Sequence, residues 1–376
     1  MSDSLTRYCA IRDALFKLCP HEPGGNFARH LLTLAALISG IVGSRKANLP
    51  AIASRVPSGS SPKGGKRESR IKRFSRWVEN DRIGADTYYM PFVRALLAGL
   101  PPGPLVLVMD GSTVGRGCQA LVISVLYEHW GRSRALPLVW SVVTGGKGHQ
   151  SEQMHRDLLR QVIPLIPGGR EVVFLGDGEY NGVGLLGLVA QQGWKFACRI
   201  GSNTKLCEGG EWFSLSFLPV TPGDRVELTD VLFTEHGFGP VLVAAQWREG
   251  DDGPLYLVSN FDFFHEADFW YGKRFTIETF FSDQKSRGFY LCHSHLSDPM
   301  RLSRLMIASC LAYLWLVCLG ADVRQRGWQG IVHRKGRCDL SLFQMGLLWL
   351  EHCLNEGLAV TVEFCLPKQT SANSVR

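Results

Sequence analysis

Four polar residues, Tyr271, Arg274, Glu278 and Lys285, stand at offsets of zero, three, seven and fourteen in the stretch YGKRFTIETFFSDQKSRG. Read as one helix of about 3.6 residues per turn, these offsets place all four within roughly a 60° arc. Trp270, Ile277, Phe280 and Phe281 form an apolar face beside that stripe, as in a helix buried along one edge. A carboxylate held between two cations and an aromatic ring has the chemistry to grip a metal ion and a phosphate together. The same residues also describe a surface helix whose Arg and Lys pair with Glu. The stretch alone does not separate the two readings.

Two more acids bear on the choice. Asp110 ends the apolar run PLVLVMD, Asp177 ends REVVFLGD, and each is followed by glycine. Short unbroken apolar runs of this kind predict strands buried on both faces. In an open sheet the carboxyl ends of such strands face the crevice where ligands bind. Two carboxylates brought together repel unless a divalent cation neutralises them. With Glu278 they make three hard oxygen ligands, suited to Mg²⁺ or Mn²⁺ and not to zinc. Two such ions about 3.5–4 Å apart would serve phosphodiester chemistry, activating a nucleophile and stabilising the leaving oxygen. Asp-Gly is also a common turn opening, so each acid taken singly fits a plain turn.

The elements that must position these groups follow from periodicity. Residues 1–100 predict a helical domain: a helix ending before Pro20, a second over 27–42, a short third over 49–56, and amphipathic helices over 66–80 and 86–98. The stretch PSGSSPKGG between the third and fourth predicts a loop. In KRESRIKRFSRWVEN, Ile71, Phe74 and Val78 give a packing face, while Lys66, Arg67, Arg70 and Arg73 lie away from it. A helix anchored on one side and densely cationic on the other suits a DNA backbone or major groove. It also fits an exposed bundle face.

Beyond Pro104 the pattern changes to three successive strands, then helix, strand, helix and strand, ending near residue 200. Residues 201–260 read as an antiparallel β insertion, followed by the polar helix and the uncharged run Leu305–Ala321. That run is near the lower length limit of a membrane span of about 17–25 residues. It contains Ser, Tyr, Cys and Gly, and predicts a buried core helix. The remainder, 323–376, predicts a helix over 342–355 and a disordered polar tail.

Charge is unevenly placed: residues 1–100 hold 16 Lys and Arg against 7 Asp and Glu, and the remaining residues 25 against 27. A basic front on a near-neutral body points to a polyanion met first by the N-terminal part, although basic residues also simply solvate helices. The 11 cysteines include no CxxC, as expected in a reducing compartment. No signal peptide is visible in MSDSLTRYCAIRD, so the expected location is the cytoplasm, with no membrane association. The histidine doublet His293 and His295 fits local polarity better than a metal site.

Taken together, the motifs resemble the DDE-type transposases of bacterial insertion sequences, in the group with a Tyr-Arg-Glu-Lys signature. That signature asks for Arg three after Tyr, Glu four after Arg and Lys seven after Glu, and Tyr271, Arg274, Glu278 and Lys285 meet every interval. The strands VLVMDGST and VFLGDGEYNG are similar to those bearing the family's first two acids, and ESRIKRFSRWVEN resembles its DNA-binding helix. The similarity covers roughly residues 65–320.

The resemblance implies an RNase H-like α/β fold: a five-stranded mixed sheet flanked by helices, with a β insertion before the third acid. It implies Asp110, Asp177 and Glu278 as catalytic metal ligands for two Mg²⁺ or Mn²⁺ ions, and Tyr271, Arg274 and Lys285 as holders of phosphates. Trp247 of the insertion becomes a base-stacking candidate, although a core tryptophan is the plainer reading, and Glu179 reads as a bystander. The implied partners are double-stranded transposon ends and target DNA, with a homodimer pairing two ends. The expected function is cut-and-paste transposition. The alternatives are an RNase H-like resolvase that cuts without joining, and an inactive transposon-derived DNA-binding protein.

Overall fold

The computed structural model describes residues 2–19, 21–58, 65–146, 148, 150–334 and 339–367. The loop expected at 57–65 and the tail expected beyond 367 lie largely outside the described residues. Six helices come first: α1 (Asp3–Lys17), α2 (Gly25–Ser44), α3 (Leu49–Ser54), α4 (Arg67–Glu79), α5 (Ala85–Tyr88) and α6 (Met90–Ala98). Then follow β1 (Leu105–Gly115), β2 (Cys118–His129), β3 (Arg132–Thr144), α7 (Glu152–Val162), β4 (Val172–Gly176), α8 (Val183–Gln191) and β5 (Lys195–Arg199). Ser151 caps α7 by accepting the Met154 amide at 3.4 Å, the N-cap role its residue type favours.

Strands β1, β2 and β3 form an antiparallel meander, and β4 pairs parallel to β1 and β5 parallel to β4. These five are the mixed sheet that the resemblance implies. A parallel neighbour needs a crossover, which α8 supplies between β4 and β5. All five residues of β4 are buried, as befits a parallel strand inside a sheet, and α9 packs on it.

The insertion holds β6 (Lys205–Glu208), β7 (Glu211–Ser214), β8 (Arg225–Phe233), β9 (Phe238–Gln246) and β10 (Leu255–Ser259). It is not a separate sheet. Strand β10 pairs antiparallel with β5, so one ten-stranded sheet runs β3-β2-β1-β4-β5-β10-β9-β8-β6-β7. The short strands β6 and β7 alternate too briefly to be read from sequence.

The chain continues through α9 (Phe264–Gly272), α10 (Ile277–Gln284), α11 (Pro299–Gln325), α12 (Gln329–Val332) and α13 (Leu342–Asn355). Helices α2 and α11 are each long and apolar enough to cross a membrane, and 94% of the apolar window of α11 is buried inside the fold. The run Leu305–Ala321 is thus the core helix that its composition predicts. It packs on β3, on the N-terminal helices α2 and α4, and on α13. The buried Arg304 of α11 donates to Val78 O at 3.1 Å and Ile83 O at 3.3 Å, tying the N-terminal helices to the sheet side. Every cysteine among the described residues is a free thiol.

Helices α11 and α13 approach backbone to backbone at Gly320 and Gly346. A Cβ on Gly320 would collide with the Leu342 carbonyl oxygen, and one on Gly346 with that of Leu316. Gly346→Ala should therefore lower the urea midpoint by an amount equivalent to about 2–3 kcal/mol. Gly168→Ala, in an exposed turn where an added Cβ meets nothing within 4 Å, should change stability by less than about 0.5 kcal/mol. Equal effects at the two positions would refute the close crossing.

Candidate active site

Asp110 lies within β1 and is buried, and Asp177 directly follows β4. The parallel register ends with Met109 opposite Gly176, so the two aspartates are the next residues on adjacent strands. Strand β1 does not end at its acid, as the sequence suggested, but runs on to Gly115, and there Asp110 Oδ1 accepts the adjacent Gly111 amide at 2.7 Å; Asp177 does open a turn, its Oδ1 accepting the Glu179 amide at 2.9 Å. At Asp177 a turn role and the juxtaposition of the carboxylates therefore coexist, whereas at Asp110 the plain-turn reading fails.

The stretch 271–288 is not one helix, which corrects the expectation from spacing. Tyr271 ends in α9, Lys273–Thr276 forms a 3-10 turn, α10 runs over Ile277–Gln284, and Lys285 leaves the helical region at φ −99° and ψ −122°. Three residues per turn replaces 3.6 in the middle segment, so residues three apart eclipse. Tyr271, Arg274 and Ile277 consequently form a buried row, while Gly272, Phe275 and Glu278 form an exposed one. The four signature residues do not share a stripe. The apolar face is as expected, with Ile277, Phe280 and Phe281 buried and Trp270 packed against the core.

Two cations of this stretch turn toward β1, while Lys273 pairs with Glu128 of β2. Arg274 Nη1 lies 3.6 Å from Asp110 Oδ2, with side chains 8% and 7% exposed. Lys285 Nζ donates to Ser112 Oγ at 2.5 Å, two residues beyond Asp110. The Arg274 guanidinium lies 4.2 Å from the centre of the exposed Phe275 ring and 5.9 Å from that of Tyr271. Burial raises the Tyr271 phenol above its ordinary pKa, opposed by the nearby charges of Arg274 and Arg199. Arg199, at the carboxyl end of β5, thus adds a cation to this corner that spacing did not reveal.

Tyr180 is another residue that sequence reasoning missed. It is 1% exposed, packs edge-on to His155 at 4.9 Å, and its hydroxyl lies 3.5 Å from Glu179 Oε2. Burial, then the charges of Asp110, Asp177 and Glu179, push its pKa up. Glu179, close to the second aspartate in sequence, thus acts together with Asp110 and Asp177 on the Tyr180 hydroxyl.

In donor type, two adjacent carboxylates fit a hard divalent cation. Among the described residues, however, no three His, Cys, Asp or Glu side chains form a group that could hold a metal ion. Glu278, on the exposed face of α10, is not gathered with Asp110 and Asp177 into such a group.

The predicted DNA-contacting residues of α4 divide into two sets. Lys66 and Arg67 are exposed, with Arg67 reaching Pro50 O at 3.2 Å. Arg70 is half-buried and donates to Ala53 O at 3.0 Å and Gly65 O at 2.8 Å. Arg73 is half-buried, with its guanidinium 5.2 Å from the Phe74 ring centre. Arg70 and Arg73 therefore do not lie wholly away from the packing face, which also includes Trp77; the open cationic face continues through Lys72 and Arg76. Trp247 is half-buried beyond the end of β9, outside the main hydrophobic core, and its indole N–H donates to Asp251 O at 3.0 Å.

Residues 101–315 match the family described as Transposase DDE domain. No curated protein matches the chain. Among solved structures, a cryo-EM structure of a piggyBac transposase synaptic complex with hairpin DNA is similar at 13% identity and a TM-score of 0.48, over 100% of this chain and 88% of that one.

Asp283, on the buried side of α10, lies 3.6 Å from Arg134 Nε of β3. Burial outweighs the neighbouring Arg134 and Arg287 and raises its pKa to about 6. A carboxyl raised on folding stabilises the fold below its unfolded pKa near 3.8, and that contribution is lost as pH rises toward about 6. The loss is on the order of 2–3 kcal/mol. Asp283→Asn should flatten the fall in melting temperature between about pH 4 and 6; an unchanged profile would exclude Asp283 as its source.

Proposed function

The chain belongs to the DDE transposase family, and from that premise we propose that it is a cut-and-paste transposase of an insertion sequence, in the Tyr-Arg-Glu-Lys group. The observation that carries the reading is the placement of Asp110, within β1, beside Asp177, directly after β4. With Glu278 brought in from α10, these residues would hold two Mg²⁺ or Mn²⁺ ions. Such ions supply Lewis acidity for activating an oxygen nucleophile and stabilising a leaving oxygen.

The chain's own residues do the positioning. Arg274 offers a planar fork to a phosphate and Lys285 a mobile point charge. Tyr271, buried beside Arg274, orients that guanidinium. A phosphodiester at the element's end is hydrolysed, leaving a 3′-hydroxyl. That hydroxyl then attacks a target phosphodiester, so one P–O bond forms as another breaks and no external energy source is required. Joining two ends calls for at least two copies of the chain in the assembled complex. A DNA substrate of this kind places the protein with the DNA of a bacterial cytoplasm. The exposed cations Lys66, Arg67, Lys72 and Arg76 offer α4 to DNA phosphates.

A labelled duplex from the DNA flanking the gene, mixed with plasmid and Mg²⁺, should yield both cleaved ends and joined product. Asp110→Asn or Asp177→Asn should lower both by more than about a thousandfold while duplex binding persists. Undiminished cleavage would sink the site assignment, and cleavage without joining would identify a resolvase-like nuclease instead. Replacing Lys72 and Arg76 together by Ala should weaken duplex binding and reduce the salt dependence of log K by about one to two units. An unaltered salt slope would remove α4 from the DNA interface.

A further inference from the structure

Arg274 is a buried cation held by Tyr271 and by the Phe275 ring, but only loosely by its acid. Its contact with Asp110 Oδ2 is 3.6 Å, well beyond the about 2.7–2.9 Å of a charge-assisted hydrogen bond. Its Nε is buried with no hydrogen-bond partner among the described residues. Both side chains are more than nine-tenths buried, so solvent screens their attraction little. A buried guanidinium with an unused donor and a long ion pair is a weak stabiliser. It would be better satisfied by the paired oxygens of a phosphate.

The local backbone gives that cation a short route outward. Arg274 lies inside the 3-10 turn, with the exposed Phe275 as its immediate neighbour and ring partner at 4.2 Å. Meanwhile Asp110 is one of the two adjacent carboxylates of β1 and β4, and its Oδ2 faces this guanidinium. Arg274 and a divalent cation at Asp110 would repel each other across a poorly screened site.

We propose that Arg274 is an exchangeable counter-ion, resting on the transposase reading above. In the DNA-free chain it neutralises Asp110. A backbone phosphate of bound DNA then draws the guanidinium away and leaves Asp110 to a divalent cation. DNA and cation therefore bind cooperatively, and linkage requires each to tighten the other by the same factor. No bond is made or broken; one ionic partner replaces another on each side.

The test measures Mn²⁺ binding to the full-length protein by electron paramagnetic resonance, with and without the flanking-DNA duplex, after subtracting Mn²⁺ bound by duplex alone. For the wild type, duplex should tighten Mn²⁺ binding about tenfold or more. Reciprocally, Mn²⁺ should lower the duplex Kd by that factor. Arg274→Gln should bind Mn²⁺ more tightly than wild type without DNA, and duplex should add little further. The wild-type coupling needs no variant, so it decides the matter even if Arg274→Gln does not fold. Absence of coupling in the wild type, or equal coupling in a folded Arg274→Gln protein, overturns the proposal. A different failure marks the underlying reading: Mn²⁺ binding that Asp110→Asn leaves unchanged would refute Asp110 as a ligand, and the proposal with it.

Discussion

The parallel pairing of β1 with β4 is the constraint on which the rest of the site depends. It fixes Met109 opposite Gly176 and so sets Asp110 and Asp177 side by side. An antiparallel neighbour would have carried the second acid to the opposite end of the sheet. Parallel pairing cannot be made by a tight turn, and the chain reaches β4 only after β2, β3 and α7. Glu152 at the start of α7 then secures the loop beyond Asp177, accepting the Leu185 amide of α8 at 2.9 Å. A Cβ on Gly182 or Gly184 would intrude on that glutamate, so small residues there keep the loop closed under the acid.

Placing two carboxylates together raises an electrostatic cost that the surroundings must answer. Arg274 and Lys285 gather at Asp110 and Ser112 of β1, and Arg199, at the carboxyl end of β5, adds its charge near Tyr271. Tyr180 closes the floor beneath them as a buried neutral donor. The arrangement is a pair of acids in a cationic corner, rather than an isolated acidic patch. Such a corner suits a substrate that is itself a polyanion.

Much of this was legible in the sequence, for identifiable reasons. Strands β1 and β4 declare themselves as apolar runs because both faces are covered, and helices α7, α11 and α13 follow from period and caps. The signature spacing pointed to the stretch that faces β1. Its geometry was not legible, because a 3-10 turn of four residues shifts the helical phase without changing the composition. Arg70 and Arg73 were misplaced for a related reason: the Ala53 carbonyl of α3 that Arg70 engages, and Tyr8 of α1 near Arg73, belong to tertiary packing and not to local periodicity. Glu179 and Tyr180 lay in a turn that carries no period at all.

The insertion explains how so many residues can intervene between the second and third acids without displacing either. It leaves the sheet after β5 and returns through β10, which pairs with β5 itself. Entry and exit thus share one strand, adjacent to the strand that carries Asp177. The hairpins between them grow outward along the sheet, from β9 to β7, away from β1. On leaving β10 the chain is already beside the strands of the two aspartates, so α9 packs on β4 and β5, and α10 reaches β1 and β3. The register of Arg274 and Lys285 on β1 is therefore set by the β5–β10 pairing and the 3-10 turn, whatever the length of chain looped out between them.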